Sequence, residues 1–141
     1  MAILVTGGAG YIGSHTCVEL LNAGEDIVIL DNLSNSKERA VEIIKELTGK
    51  DFKFYKADLL DRAAVEKVFE ENDIDSVIHF AGLKAVGESV RKPIEYYHNN
   101  ITGTLILCDV MRNHGCKRIV FSSSATVYGS PKSVPIREDF P

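Results

Sequence analysis

The stretch Thr6-Gly7-Gly8-Ala9-Gly10-Tyr11-Ile12-Gly13 constrains this chain more than any other. It follows an apolar run, Ala2-Ile3-Leu4-Val5, and opens onto a helix-like stretch from Ser14 to Ala23. A strand that turns through glycines into a helix gathers free backbone N–H groups and the positive end of the helix dipole. The missing side chains let a phosphate come close. The next apolar run, Ile27-Val28-Ile29-Leu30, ends on an acidic residue, Asp31, 18 residues after Gly13. Strand, glycine turn, helix, strand and carboxylate in that order read as a dinucleotide site. Gly7, Gly10 and Gly13 would cradle the pyrophosphate, and Asp31 would accept from a ribose hydroxyl. A carboxylate there also repels a 2′-phosphate, which predicts NAD over NADP. Lys37 and Arg39, nearby, read as a solvated helix face.

Strand and helix patterns alternate along the rest of the chain. Strands are expected at about Ile3–Thr6, Ile27–Leu30, Phe52–Tyr55, Ser76–Phe80 and Arg118–Ser122. Helices are expected at about Ile12–Ala23, Lys37–Thr48, Arg62–Asn72 and Pro93–His114, with Gly24 and Gly115 as stops. Ser36 and Asp61 stand where helix caps belong. Val41, Ile44 and Leu47 are expected on one buried face, and Val65, Val68 and Phe69 on another. Leu83–Lys92 reads as a loop, and glycine and prolines break any regular element beyond Ser124. This order predicts an α/β fold: a Rossmann-type doubly wound parallel sheet in three αβα layers, cut short after about the fifth strand.

With 141 residues and a net charge of -4, the chain fits one domain with a real core. It shows no basic stripe with interleaved aromatics, so no nucleic-acid partner is expected. No apolar run is long enough to span a membrane, and Met1 stands almost against the first strand, which predicts no targeting segment. Cys17, Cys108 and Cys116 lack metal spacing and read as free buried thiols in a reducing cytoplasm. No metal site is expected. His79, inside an apolar strand, reads as a core histidine with satisfied hydrogen bonds, and His15 as a cap or surface residue. Asp58, at the tip of the third strand, suits the amino group of an adenine, or else a loop or cap. Asn99 in mid-helix faces either a cleft or solvent.

Several segments resemble one family. Thr6 to Gly13 is similar to the glycine motif of the extended short-chain dehydrogenase/reductases. His79-Phe80-Ala81-Gly82-Leu83-Lys84-Ala85-Val86-Gly87-Glu88-Ser89-Val90 and Phe121-Ser122-Ser123-Ser124-Ala125-Thr126-Val127-Tyr128-Gly129 resemble the segments after strands four and five of the UDP-glucose 4-epimerases. Tyr96-Tyr97-His98-Asn99-Asn100 resembles a helix pattern of the same family. The resemblance implies backbone contacts from Tyr11 and Ile12 to the pyrophosphate. It places Asp31, Asn32, Leu33, Ser34, Asn35 and Ser36 around the adenosine ribose, and Asp58 and Leu59 around the adenine. Phe80, Ala81, Gly82, Leu83, Lys84 and Asn99 would approach the nicotinamide half. Ser124 would touch cofactor and sugar alike and help polarise the sugar 4-hydroxyl as a catalytic group.

The implied activity is the interconversion of UDP-glucose and UDP-galactose through NAD and a 4-keto sugar, in galactose metabolism. Such enzymes use a tyrosine with a lysine four residues later on one helix face. The only such spacing here, Tyr128 and Lys132, holds Gly129 and Pro131 between the two and should not be helical. The chain is therefore expected to be the NAD-binding domain over residues 1–141, incomplete, with the tyrosine–lysine pair and the C-terminal substrate domain outside it. Alone it should bind NAD at best. The parent is expected to be a homodimer, and the isolated chain to self-associate through its fifth strand. Two alternatives remain: another NAD-dependent nucleotide-sugar epimerase, or a non-catalytic NAD-binding sensor. A 4,6-dehydratase is disfavoured, because Ala125-Thr126 stands where that group carries Asp-Glu.

Overall fold

The computed structural model describes residues 1–140. Five parallel strands, β1 (Ala2–Thr6), β2 (Ile27–Asp31), β3 (Lys53–Lys56), β4 (Ile74–His79) and β5 (Arg118–Phe121), form one sheet in the order β3-β2-β1-β4-β5. Helices lie between them: α1 (Tyr11–Asn22), α2 (Glu38–Thr48), α3 (Arg62–Glu71), α4 (Val86–Arg91), α5 (Pro93–Tyr97) and α6 (Gly103–Asn113). The expected fold class stands: this is a Rossmann-like α/β sheet with helices on both faces.

Alternation along the central strands builds the layers. Leu4 is in register with Val28 and Val77, and that row packs with Val65, Val68 and Phe69 of α3 and Leu107, Val110 and Met111 of α6. Val5 points the other way and joins Ile27, Ile29, Cys17, Leu21 and Ile44 under α1 and α2. Continuous apolar strands are what a sheet covered on both faces requires. Asp61 caps α3 by accepting from Ala64 N–H at 3.2 Å.

Several expectations need correction. Ser36 does not cap α2; Lys37 stands at the cap position without a side-chain bond, and the Ser36 hydroxyl turns to Asp31 instead. Leu47 is exposed, because steps of three residues drift about 60° per step around a 3.6-residue helix and carry it off the Val41–Ile44 face. Cys108 is exposed, whereas Cys17 and Cys116 are buried. The segment expected to be loop contains α4, held by Glu88, which accepts from the Tyr96 hydroxyl at 2.8 Å and pairs with Lys92. The helix from Pro93 is not uniform: a π-helical turn, His98–Thr102, separates α5 from α6. Past Ser124, Ala125–Tyr128 makes one turn of 3₁₀ helix.

β5 forms one edge of the sheet, and Val120 and Phe121 are 63% and 59% exposed. No helix among the described residues is long and apolar enough to cross a membrane, and none of their His, Cys, Asp and Glu side chains cluster as a metal site.

Candidate functional site

The carboxyl ends of the strands carry the site. Gly7 leaves β1 at φ +70, and a Cβ there would meet the Ala81 backbone nitrogen at 2.7 Å. The turn then folds back so that a Cβ on Gly13 would lie 2.2 Å from the Gly7 carbonyl oxygen. Only glycine allows this approach of turn, helix and neighbouring strand. Gly10 N–H donates to Gly7 O at 3.1 Å, and Gly10 precedes α1. The first N–H groups of α1, from Tyr11 onwards, have no acceptor within the helix. Tyr11 and Ile12 are exposed there, so the helix end faces open space.

Asp31, at the end of β2, ties this turn to the next loop. One carboxylate oxygen accepts from Ala9 N–H at 3.0 Å; the other accepts from Leu33 N–H at 2.8 Å and the Ser36 hydroxyl at 2.9 Å. Leu33 holds φ +58, a left-handed conformation that costs a leucine on the order of 1 kcal/mol, and the Asp31 bond offsets it. Asn32 reaches across to the loop after β3: its Nδ2 donates to Asp58 Oδ2 at 2.8 Å, while its Oδ1 accepts from Ser34 N–H at 3.0 Å. Asp58 Oδ1 accepts from Leu60 N–H at 2.9 Å.

A cleft enclosing about 640 Å³, part of it open to solvent, runs over this edge. Gly7, Gly10, Asp31, Asn32, Ser34, Asn35, Ser36, Asp58, Leu59, Phe80, Ala81, Gly82, Leu83 and Asn99 line it, which gathers most of the residues singled out above. Lys84 and Ser124 fall instead in a second cleft, enclosing about 1000 Å³, whose walls include Tyr96, Asn100 and Phe121. The two clefts meet at Ala81, Gly82 and Leu83. Tyr11, Ile12, Gly13 and Leu33 line neither, although Gly13 and Leu33 shape the first. Ser122, Ser123 and Ser124 all reach the second cleft, so strand alternation does not single out one of them there. The Ser124 hydroxyl is exposed and lies 2.9 Å from that of Thr126. Tyr128 closes the 3₁₀ turn and Lys132 lies past Gly129, so the two do not share a helix.

Sequence reasoning missed the supports of the central loop. Asn100, in the π-helical turn, clamps Leu83 twice: Oδ1 accepts from Leu83 N–H and Nδ2 donates to Leu83 O, both at 2.8 Å. Asn99 donates to Asn100 Oδ1 at 2.9 Å. The available signal was a pair of asparagines in mid-helix, where asparagine is unfavourable. π-Helical turns often mark functional sites.

His79 is a core histidine with both ring nitrogens satisfied, as read from the sequence, and is 2% exposed. Its Nδ1 lies 2.6 Å from the Thr6 hydroxyl and its Nε2 2.9 Å from the Thr104 hydroxyl. Thr104 spends its proton on Asn100 O at 2.7 Å, so it accepts from Nε2–H. Nδ1 is then an acceptor for Thr6. Burial, with the Lys84 charge as a second cause, pushes the imidazole pKa down to about 4. It remains neutral at pH 7 and anchors β4 rather than moving protons.

A family model described as the NAD dependent epimerase/dehydratase family matches residues 3–141. A UDP-glucose 4-epimerase of Bacillus subtilis is 72% identical over the whole chain, which spans 42% of that protein. One from Haemophilus influenzae is 66% identical over 99% of the chain and 41% of that protein. The crystal structure of UDP-glucose 4-epimerase from Bifidobacterium longum in complex with NAD+ and UDP superposes with a TM-score of 0.95 at 58% identity, covering 100% of this chain and 42% of that one. The chain thus spans about two fifths of the length of the relatives it matches.

Proposed function

This chain belongs to the NAD dependent epimerase/dehydratase family, and on that premise we propose that the whole protein is a UDP-glucose 4-epimerase. It interconverts UDP-glucose and UDP-galactose with NAD held in the first cleft. The observation that carries the reading is the meeting of the glycine turn, Asp31 and Asp58 in one cleft that opens at Ala81–Leu83 into a second, serine-lined one. The residues present fit the cofactor. Gly7, Gly10 and the free N–H groups of α1 suit a pyrophosphate, Asp31 suits ribose hydroxyls, and Asp58 suits an exocyclic amine.

Bound NAD supplies reversible hydride acceptance at the sugar C4. The chain's own residues do the positioning. Lys84, which makes no ion pair among the described residues, donates to ribose oxygens, and Asn99 closes the cleft from the helix side. Ser124 hydrogen-bonds the sugar 4-hydroxyl and helps polarise it. A proton acceptor for that hydroxyl, a helical tyrosine four residues before a lysine, lies outside these 141 residues. The isolated chain therefore binds NAD with turnover lower by at least ~10²–10⁴-fold. The domain that grips the uridine diphosphate also lies outside it.

The whole protein is a cytoplasmic homodimer, a reading supported by its unpaired cysteines and by exposed Ile94, Tyr97, Ile101 and Leu105 along α5–α6. The isolated chain self-associates through the bare β5 edge. The test is to incubate the whole gene product with UDP-galactose, resolve the nucleotide sugars by anion exchange, and assay nucleotide released on denaturation. UDP-glucose and NAD are expected. NAD without interconversion would point to another sugar nucleotide, and absence of released NAD, with no binding on titration, would remove the cofactor reading.

A further inference from the structure

The geometry points to Asn32 as a positioning residue that makes Asp58 an acceptor-only edge and thereby selects a 6-aminopurine over a 6-oxopurine. The inference rests on the NAD reading above and goes beyond it, since it gives Asn32 a part other than touching the ribose.

The hydrogen bonds leave Asn32 one orientation. Ser34 N–H is a donor, so the group 3.0 Å from it must be the amide oxygen, and Nδ2 is then the group that faces Asp58 Oδ2 at 2.8 Å. The other Asp58 oxygen is held by Leu60 N–H at 2.9 Å. With a donor already on each oxygen, Asp58 has only lone pairs left to offer the cleft it lines. An adenine presents an amino donor to such an edge. A hypoxanthine presents a carbonyl oxygen, which leaves two acceptors face to face. Asn32 joins the loop after β2 to the loop after β3, residues 26 apart in sequence, so this amide ties the two loops together at that end of the cleft.

The test uses the full-length protein freed of bound nucleotide and titrated calorimetrically with NAD and with nicotinamide hypoxanthine dinucleotide. The parent should prefer NAD by roughly 10–100-fold, the range expected when one charge-assisted hydrogen bond is replaced by facing acceptors. In Asn32→Leu the preference should fall about tenfold, because Asp58 loses the bond that aims it and is free to turn. Loosening of the loop through the lost Ser34 bond weakens both nucleotides alike and cancels in the ratio.

Asn32→Asp is nearly isosteric and keeps the Ser34 bond, but it sets two carboxylates against each other. At low pH one shared proton bridges them; as pH rises the pair ionises and repels. The ratio of variant to parent Kd for NAD should therefore grow about tenfold between about pH 5.5 and about pH 8.5. The charged groups on the surrounding segments are Asp31, Lys37, Lys56, Asp61 and Arg62. None of them pairs with Asp58 among the described residues, and all are shared by variant and parent. A parent that binds NAD without preference, an Asn32→Leu protein that keeps the preference, or a flat pH ratio in Asn32→Asp each overturns the role of Asn32. A parent that binds neither dinucleotide overturns the cofactor reading itself.

Discussion

Acidification should weaken this fold through the His79 imidazole. The ring lies in the core with both nitrogens engaged, and its pKa falls from the ordinary 6.5 to about 4. In the unfolded chain the value returns to that of a free imidazole. Between those two values the unfolded state binds more protons, so stability rises with pH across the window. The contribution is complete above the unfolded pKa and is lost as the pH falls through the folded one. At about 1.36 kcal/mol per pH unit the full displacement amounts to roughly 3 kcal/mol, of which about 2 kcal/mol is gone by about pH 5. Urea titrations followed by circular dichroism measure it, run from about pH 7.5 to about pH 5 on the chain and on His79→Gln. Glutamine keeps a donor for Thr104 and an acceptor for Thr6 but does not titrate. The parent should lose about 2 kcal/mol more than the variant over that range, with every other ionisable group common to both. Parallel pH curves would refute the reasoning, since they would mean that the imidazole charges in place without cost.

Other outcomes follow from the same contacts. Gly13→Ala places a methyl 2.2 Å from the Gly7 carbonyl oxygen, so the turn must open; we expect a loss of about 1–3 kcal/mol of stability and at least tenfold weaker NAD binding by calorimetry. Val120→Lys on the exposed β5 edge should leave the circular dichroism spectrum unchanged and shift sedimentation of the isolated chain toward monomer. In the whole protein, Leu105→Glu should move the size-exclusion peak toward the monomer, because a charge on an apolar helix stripe opposes pairing across it.

Local chemistry made much of this molecule legible in its sequence. β-Branched runs between helical periods specify buried parallel strands. The glycines after Thr6 specify a turn no other residue can make, and an acidic residue, Asp31, closes the second strand. Those signals depend on neighbours a few residues apart, and β1, β2, α1 and α3 sit close to where periodicity put them. The errors lie where burial or distant partners outweigh local pattern. Leu83–Lys92 reads as loop, yet it holds α4, where Glu88 accepts from the Tyr96 hydroxyl of α5. The π-helical turn has no signature in spacing, but it carries Asn100, whose side chain clamps Leu83.

The order of elements, the glycine cradle and the types of group at each strand end can be read along the chain. Which of those groups touch follows from the assembled sheet. Asp31 holds Ala9, Asn32 holds Asp58, and Thr6 meets His79 from 73 positions away. Such contacts depend on strand order and register, because parallel strands bring their carboxyl ends together whatever the length of chain between them. No local pattern carries that distance information, so the site becomes visible only once the sheet is assembled.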